Sequence, residues 1–265
     1  MQKLPLPESP AALRGLIRKG GLVRPTSAMA PGRVQANLVI LPRDLAFEFL
    51  LFCQRNPKPC PLLEVVDSGA IPEPSSTAPG ADLRYDVSKY RVYEHGEVVS
   101  EPLDIAGVWK EDMVSFLLGC SFTFEAALMR AGIRLPHVEQ DINVSMYITS
   151  IDTVPAGIFS GPMVVSMRPV PEDKIVKVIQ VTSRFPNVHG APIHIGDPGA
   201  IGVSDISKPD LGDAVEIRKG EVPVFWACGV TPQAVAMQSK PSLMITHSPG
   251  HMFITDLYDE DVALF

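Results

Sequence analysis

The sequence has few cysteines, no long apolar run and no run of basic residues. Its four cysteines, at positions 53, 60, 120 and 228, are too few and too scattered for a disulfide framework or a CxxC zinc site. No stretch approaches the roughly 18 uncharged apolar residues of a membrane helix. Prolines also interrupt the N-terminal segment, where a secretory signal would need an apolar core. We therefore expect a protein of the reducing cytoplasm that has no membrane partner.

Acidic residues outnumber basic ones by 30 to 23, which gives a formal net charge of −7 and an isoelectric point near 5.4. This balance offers no basic surface for a phosphate backbone, so we expect no nucleic-acid partner. Hydrophobic residues make up 46% of the chain and charged residues 20%, as in ordinary globular proteins. A length of 265 residues allows either one domain with a large core or two modest domains. A homo-oligomer is also compatible with the sequence.

The first half of the chain carries clear helix and strand signals. Ser9 is suited to cap a helix over residues 10–19, and Gly20 is suited to end it. An apolar run predicts a buried strand over residues 35–41, and a helix follows over residues 42–54. The dipeptide His95-Gly96 lies between two strand-like segments and indicates a hairpin turn.

Two further helices are expected before the middle of the chain, over residues 109–118 and 122–131. Ser121 is a natural N-cap for the second helix, and Gly132 suits its C-terminal end. The first amides of such a helix, together with its dipole, would attract an anion.

From about residue 142 the sequence becomes rich in Val, Ile, Met and Thr, a composition that is typical of antiparallel strands. Strands are predicted in the second half over residues 142–151, 161–167, 174–182, 215–217, 222–227 and 243–246. We expect an α/β fold, with a mixed three-layer main domain and a smaller antiparallel, β-rich domain inserted in it. The main domain comprises residues 1–136 plus 185–265, and the inserted domain comprises residues 137–184.

Residues 183–198 form the first candidate site. This segment holds Arg184, His189, His194 and Asp197 among glycines and prolines. The prolines exclude a helix, so these side chains can converge only through the folding of the loop. Long loops rich in such residues more often form functional sites than serve only as connections.

Residues 246–256 form a second cluster, in which His247 and His251 lie on either side of a Pro-Gly break. The HExxH pattern of zinc proteases is absent, because position 248 is Ser. Imidazole and carboxylate suit Mn or Zn, so His247, His251 and Asp256 are the ligands if a divalent metal is present. The sequence points to no certain cofactor.

A third cluster, residues 223–233, is a strand that runs into a glycine-containing turn. Cys228 is either a small buried apolar residue or a nucleophile with a histidine as its base. Gly229 places backbone amides at the turn, and Thr231 is a hydrogen-bond donor for a carboxylate.

These segments together resemble those of the hydro-lyase family, also called the D-glutamate cyclase family. The blocks that carry the resemblance are QANL at 35–38, NPKPCP at 56–61, GCSF at 119–122, GPMVVSMRP at 161–169, and residues 183–198, 223–233 and 246–256. They extend over nearly the whole chain. The resemblance implies a water-eliminating enzyme that acts on a small carboxylic or amino acid, such as D-glutamate closing to 5-oxo-D-proline.

That cyclisation needs a cation, a base and donors for developing negative charge. Arg184 suits a bidentate grip on the α-carboxylate. His189 or His194 suits the base, oriented by Asp197 or Asp205.

The donors for the developing oxyanion are sought at the Cys120-Ser121 helix start or at the Gly229 turn. His247 or His251 would then protonate the departing oxygen. Two alternatives remain open: a dehydratase acting on a hydroxy acid, and a small-carboxylate binding protein or non-catalytic subunit in 5-oxoproline-related metabolism.

Overall fold

A computed structural model of the chain describes residue 7 and residues 9–264. Its helices, in chain order, are α1 Pro10–Arg18, α2 Arg43–Arg55, α3 Glu125–Arg130, α4 Pro136–Gln140, α5 Ile175–Ser183 and α6 Thr231–Ser239. Its strands are β1 Arg33–Pro42, β2 Leu62–Val66, β3 Tyr90–Glu94, β4 Glu97–Ser100, β5 Met113–Gly119, β6 Ser145–Asp152, β7 Pro162–Pro171, β8 His194–Ile195, β9 Glu221–Ala227, β10 Met244–His247 and β11 Phe253–Tyr258.

The strands form two antiparallel sheets. The first sheet has the order β2-β5-β1-β10-β3-β4, and β11 pairs with β1 beyond the end of β10. The second sheet has the order β6-β7-β9-β8. Helices combined with these two sheets confirm the predicted α/β class.

The first sheet is buried on both faces around its central strand β1. On one face, Phe49 and Phe52 of α2 pack against Phe116 of β5, with Phe49 and Phe116 ring centroids 4.9 Å apart. On the other face, Leu38 and Ile40 pack against irregular segments between residues 66 and 113. Strands covered on both faces read as continuous apolar runs rather than alternating ones, which is the pattern of β1.

The second sheet is covered on one face by α3 and α5, around a buried Trp226. Helix α6 lies between the sheets, because Ala234 packs with residues of the second sheet and Val235 with residues of the first. Two of the four strands in the second sheet, β8 and β9, lie beyond residue 184 and extend the sheet past the range predicted for an inserted domain. The division of the chain into domains stays a prediction.

Several local predictions agree with the structure. Ser9 caps α1 by accepting a hydrogen bond from the Ala12 amide at 3.1 Å. His95 and Gly96 have positive φ values of 50° and 84° and form the turn between β3 and β4, as expected of a two-residue hairpin loop. Gly132, with φ of 78°, follows α3.

Three local predictions are wrong. Strand β5, residues 113–119, overlaps most of the predicted helix 109–118 and is buried along its whole length. A short apolar run does not distinguish a buried helix from a buried strand. Residues 175–183 form helix α5 instead of a strand, with Val178 and Thr182 buried one helical turn apart. Residues 215–217 are not in a strand.

No helix within the described residues is long and apolar enough to span a membrane.

Candidate functional site

The two sheets meet where β5 and β9 end, and both of these strand ends are followed by a cysteine. Gly119 lies at the end of β5, where a Cβ atom would come within 2.1 Å of the Asn187 carbonyl oxygen. Gly229 follows β9, where a Cβ atom would come within 1.8 Å of the Asn37 side chain. Only glycine therefore fits at position 119 without moving the backbone, and a Cβ at position 229 would displace the buried Asn37 side chain. We call this region, residues 119–121 and 228–231 with the side chains they contact, the junction.

A buried ion cluster lies at the junction. Arg168 of β7 is fully buried, and its Nη2 donates to Glu125 Oε1 at 2.6 Å and to Ser121 Oγ at 3.0 Å. His137 Nε2 lies 2.8 Å from the same Glu125 oxygen. Burial raises the pKa of Glu125, but His137 and Arg168 outweigh it and leave that pKa below its usual value. The carboxylate is thus held ionised in the interior.

The predicted N-cap role of Ser121 is wrong. Helix α3 begins at Glu125, after Phe124, and Ser121 instead accepts a hydrogen bond from the buried Arg168 guanidinium. The three intervening residues form turns, so the amides that follow Ser121 are not the start of the helix. The expected anion site at this helix end is therefore not formed.

Cys120 and Cys228 belong to one buried apolar cluster at the junction. Burial raises the pKa of both thiols above the usual value. A thiol of this kind is a poor nucleophile near neutral pH. Thr231 Oγ1 donates to the Cys228 carbonyl at 2.7 Å, so its hydroxyl hydrogen serves the turn. These contacts favour a structural role for Cys228 and Thr231.

His189 lies on the loop that packs against Gly119. Its ring is buried, and Nδ1 lies 2.8 Å from the Lys58 carbonyl oxygen. A carbonyl only accepts, so Nδ1 carries the proton and a neutral ring has its lone pair on Nε2. Nε2 has no hydrogen-bond partner among the described residues. Burial lowers the pKa of His189 to about 4, and the cations of Arg168 and Lys58 add to this effect.

An open cavity of about 360 Å³ lies beside this ring. We call it the groove; it is lined by Pro57, Lys58, Ser183, Pro186, His189, Gly190 and Ala191. Lys58 is half-buried, and its ammonium has no ion-pair or hydrogen-bond partner among the described residues. Burial alone lowers the pKa of Lys58. The groove therefore combines an unpaired cation with a neutral imidazole, and its volume lies in the range of about 300 to 1,000 Å³ found for small-molecule sites.

His247 and His251 lie on the connection between β10 and β11. His247 Nδ1 accepts from the Leu38 amide at 3.1 Å, where β1 passes from pairing with β10 to pairing with β11. His251 Nδ1 lies 2.9 Å from Ser88 Oγ. Burial lowers the pKa of His247 to about 3 and that of His251 to about 4. Both rings are neutral near pH 7, and their catalytic role stays a prediction.

The other predicted site residues lie apart from the junction and have partners of their own. His194 is on the edge strand β8, with Nε2 2.6 Å from the Asp197 carbonyl oxygen. The Asp197 carboxylate accepts from the Gly199 amide and caps a short 3-10 turn. Asp205 bonds to Ser207 and Lys208.

Arg184 is exposed at the end of α5. It lines a second cavity together with Phe185 and Asp259 and does not line the groove. The cation that the structure brings to the His189 loop is therefore Lys58.

The predicted metal ligands do not form a site. Both carboxylate oxygens of Asp256 accept from Arg14, at 3.0 and 2.9 Å. Within residues 9–264, no group of three or more His, Cys, Asp or Glu side chains is placed to hold a metal ion. The expected set of His247, His251 and Asp256 is therefore not assembled.

Comparisons with known proteins support the family resemblance that the sequence blocks carry. A family model described as D-glutamate cyclase matches residues 114–256, which is more than half of the chain. The chain belongs to the D-glutamate cyclase family. Its relatives include proteins named "putative hydro-lyase" from three bacteria. That of Bacillus licheniformis is 65% identical over 255 residues, covering 96% of this chain and 97% of the relative. That of Geobacillus kaustophilus is 63% identical over 258 residues, covering 97% and 98%. That of Bacillus subtilis is 61% identical over 256 residues, covering 97% and 99%.

Sequence reasoning missed four residues of this D-glutamate cyclase family member: Lys58, Glu125, His137 and Arg168. Two of them carried a signal. Arg168 is a charged residue inside an apolar strand, which implies a buried partner. Lys58 lies among three prolines that hold the chain extended and fix its direction. Nothing in the sequence indicates the roles of Glu125 and His137, because these residues are brought together only by the fold.

Proposed function

We propose that this protein closes D-glutamate to 5-oxo-D-proline with loss of water, and that the reaction takes place in the groove beside His189. Membership of the D-glutamate cyclase family and the hydro-lyase names of close relatives support the reaction class. The observation that carries the location is a groove lined by both His189, whose buried Nε2 has no hydrogen-bond partner among the described residues, and Lys58, whose ammonium has none either.

The reaction forms one bond from the substrate nitrogen to the carbon of its side-chain carboxyl group, Cδ, and breaks one bond from that carbon to oxygen. The ammonium loses two protons and the departing oxygen gains two, so the proton balance closes without an external acid or base. A single group that takes a proton from nitrogen and returns it to oxygen is therefore sufficient. Since both reacting groups belong to one molecule, holding them together lowers the barrier by several kcal/mol.

His189 fits the role of that proton carrier. Its lone pair on Nε2 accepts a proton, while Nδ1 stays bonded to the Lys58 carbonyl and fixes the ring. Burial and the nearby Arg168 and Lys58 cations disfavour the charged ring, so a proton accepted from nitrogen is released readily to the leaving oxygen.

Lys58 fits the role of carboxylate holder. Its half-buried ammonium faces no competing carboxylate among the described residues, so it is free to pair with the α-carboxylate of the substrate. A charge-assisted hydrogen bond of this kind is about twice as strong as a neutral one. The half-buried position strengthens the attraction further, because water screens it less.

A second reaction deserves a direct comparison, because the relatives are named for water elimination rather than for cyclisation. The same neutral imidazole would take a proton from the carbon next to a carboxylate in a hydroxy acid. The product would then be an alkene or a keto acid and not a lactam, so product analysis separates the two reactions.

The test is to incubate the purified protein with D-glutamate, L-glutamate and a set of small hydroxy acids, and to identify the products by mass spectrometry. Formation of 5-oxo-D-proline above the rate without enzyme supports the proposal. An alkene or keto acid from a hydroxy acid, without any lactam, would replace it with the dehydratase. Binding of these acids without any product would indicate a small-carboxylate binding protein.

A further inference from the structure

The largest of the cavities described lies away from the groove, between α5 and the C-terminal turn at residues 259–262. Its volume is about 480 Å³. Apolar side chains of Val181, Phe185 and Ala127 form part of its wall. Arg184 and Phe185 line this cavity, whereas their neighbours Ser183 and Pro186 line the groove. The two cavities are therefore adjacent but have no lining residue in common.

Asp259, one of the residues that line this cavity, has a buried carboxylate without a hydrogen-bond partner among the described residues. Asp259 is 2% exposed, and neither of its carboxylate oxygens has a hydrogen-bond partner among the described residues. Burying such a group without partners costs free energy. Burial raises the pKa of Asp259 to about 6, so the group is still largely ionised at pH 7. A buried carboxylate without partners at the wall of a cavity indicates that the cavity accommodates a ligand with a hydrogen-bond donor.

Three cations surround the same cavity. Arg130, Lys177 and Arg184 all line it, and all three are exposed. None of them makes an ion pair with a carboxylate of the described chain, although Arg184 Nε donates to the Leu264 carbonyl at 3.3 Å. The buried side of the cavity thus carries the negative charge of Asp259, while its exposed side carries these three positive charges.

We propose that this cavity is a second ligand site, which binds a small molecule that carries both a carboxylate and an N–H donor, as an amino acid or its lactam does. The N–H group bonds to Asp259, and the carboxylate pairs with the arginines and lysine at the exposed positions. The apolar wall contacts the carbon chain between them. A simple anion lacks the donor for Asp259, and a simple amine leaves the cations unpaired, so only a ligand with both groups complements the site. This proposal does not depend on the cyclisation reaction.

The experiment measures binding by isothermal titration calorimetry in the His189→Asn variant, in which turnover is removed while the second cavity is intact. The probes are D-glutamate, L-glutamate, 5-oxoproline and glutarate, which has two carboxylates but no nitrogen. We expect at least one of the three nitrogen-bearing probes to bind about tenfold more tightly than glutarate, since a hydrogen bond to a charged group contributes about 1.5 to 3 kcal/mol.

Adding Asp259→Asn should abolish this preference, and adding Arg184→Gln should weaken all the carboxylate probes. The matched control is Glu260→Gln, which removes one negative charge from the exposed neighbour that lines the same cavity; it should leave the preference within about twofold, as expected for a screened surface charge. Circular dichroism checks that each variant is folded.

The proposal is overturned if glutarate binds as tightly as all the nitrogen-bearing probes, or if Asp259→Asn keeps the preference. It is also overturned if no probe binds at millimolar concentration. Because His189→Asn retains Lys58, the groove can still bind a carboxylate in this background, so a further Lys58→Met substitution is made. Binding that survives Lys58→Met but depends on Asp259 and Arg184 belongs to the second cavity, so a failure of one proposal is not mistaken for a failure of the other.

Discussion

His189 Nδ1 and the Lys58 carbonyl oxygen lie 2.8 Å apart, although the two residues are separated by 131 positions in the chain. This bond joins a proline-rich connector after α2 to the loop that follows α5. It fixes the tautomer of the imidazole, and both residues line the same groove. The proposed chemistry follows from this single pairing, because it supplies a base and a cation together.

Replacing His189 with Asn should lower kcat by about 10² to 10⁴, the usual contribution of a general acid–base residue. Asn is preferred over Ala because the backbone φ of His189 is 83°, a value that Asn tolerates better than most residues. Steady-state kinetics with D-glutamate measure the effect. The matched control is His95→Asn, a turn histidine with φ of 50°, which should retain near-normal kcat. Equal losses in both variants would contradict a specific role for His189.

Replacing Lys58 with Met should raise KM by about tenfold or more, because the substrate loses an ion pair worth about 1.5 to 3 kcal/mol in a partly buried site. Lys58→Arg should restore part of the affinity. Lys110→Met, on an exposed lysine that does not line the groove, is the control and should leave KM unchanged. A variant Lys58→Met with normal KM would show that another group holds the carboxylate.

Much of the secondary structure was predictable because local signals decided it. Ser9 and the prolines and glycines around it define α1, and His95-Gly96 defines a hairpin, since each uses chemistry within a few residues. Residues 113–119 and 175–183 were assigned the wrong type, because their apolar patterns fit either structure until the surrounding sheet or face is known. Tertiary packing decided those two segments.

The candidate site was harder to predict because its pairings are distant in the chain. Sequence reasoning identified His189, but it chose Arg184 as the cation because a guanidinium suits a bidentate grip on a carboxylate. The structure places Lys58 beside His189 through a bond between two loops. Likewise, the Arg168 and Glu125 pair joins β7 to α3, and nothing in either local sequence names the other.

Replacing Arg168 with Met should lower the free energy of unfolding by about 3 to 5 kcal/mol, because it leaves the buried Glu125 carboxylate without its main cation. Urea denaturation near pH 7 measures this loss. Lys208→Met, which breaks the exposed ion pair with Asp205, should cost less than about 1 kcal/mol. Similar losses in both variants would contradict the burial argument.

The free energy of unfolding should fall as the pH is lowered from 7 to 5. The pKa values of His189, His247 and His251 are lowered in the folded state to about 4, 3 and 4, so the unfolded chain binds more protons below its usual histidine pKa of about 6.5. Their stabilisation is complete above about pH 6.5 and is lost as the pH falls toward these folded values. Urea midpoints between pH 5 and 8 check the slope, and His247→Gln should reduce it. A flat profile would contradict the burial of neutral rings.

Asp259 should have the opposite effect, because its pKa is raised to about 6 and ionisation disfavours the folded state. Its contribution declines as the pH rises from about 4 through 6. Asp259→Asn should therefore increase the free energy of unfolding at pH 7 by about 1 to 2 kcal/mol, a figure reduced to allow for solvent screening. The gain should shrink at pH 4.5, as measured by urea denaturation. A loss of stability at pH 7 would show that the carboxylate has a stabilising partner.

The most direct test of the proposed chemistry uses D-glutamate labelled with ¹⁸O at both γ-carboxyl oxygens. The account predicts that the wild-type protein forms 5-oxo-D-proline that retains one ¹⁸O in the lactam carbonyl, and that His189→Asn forms little beyond the uncatalysed background. No labelled lactam from the wild type, or equal amounts from the folded variant, would contradict it.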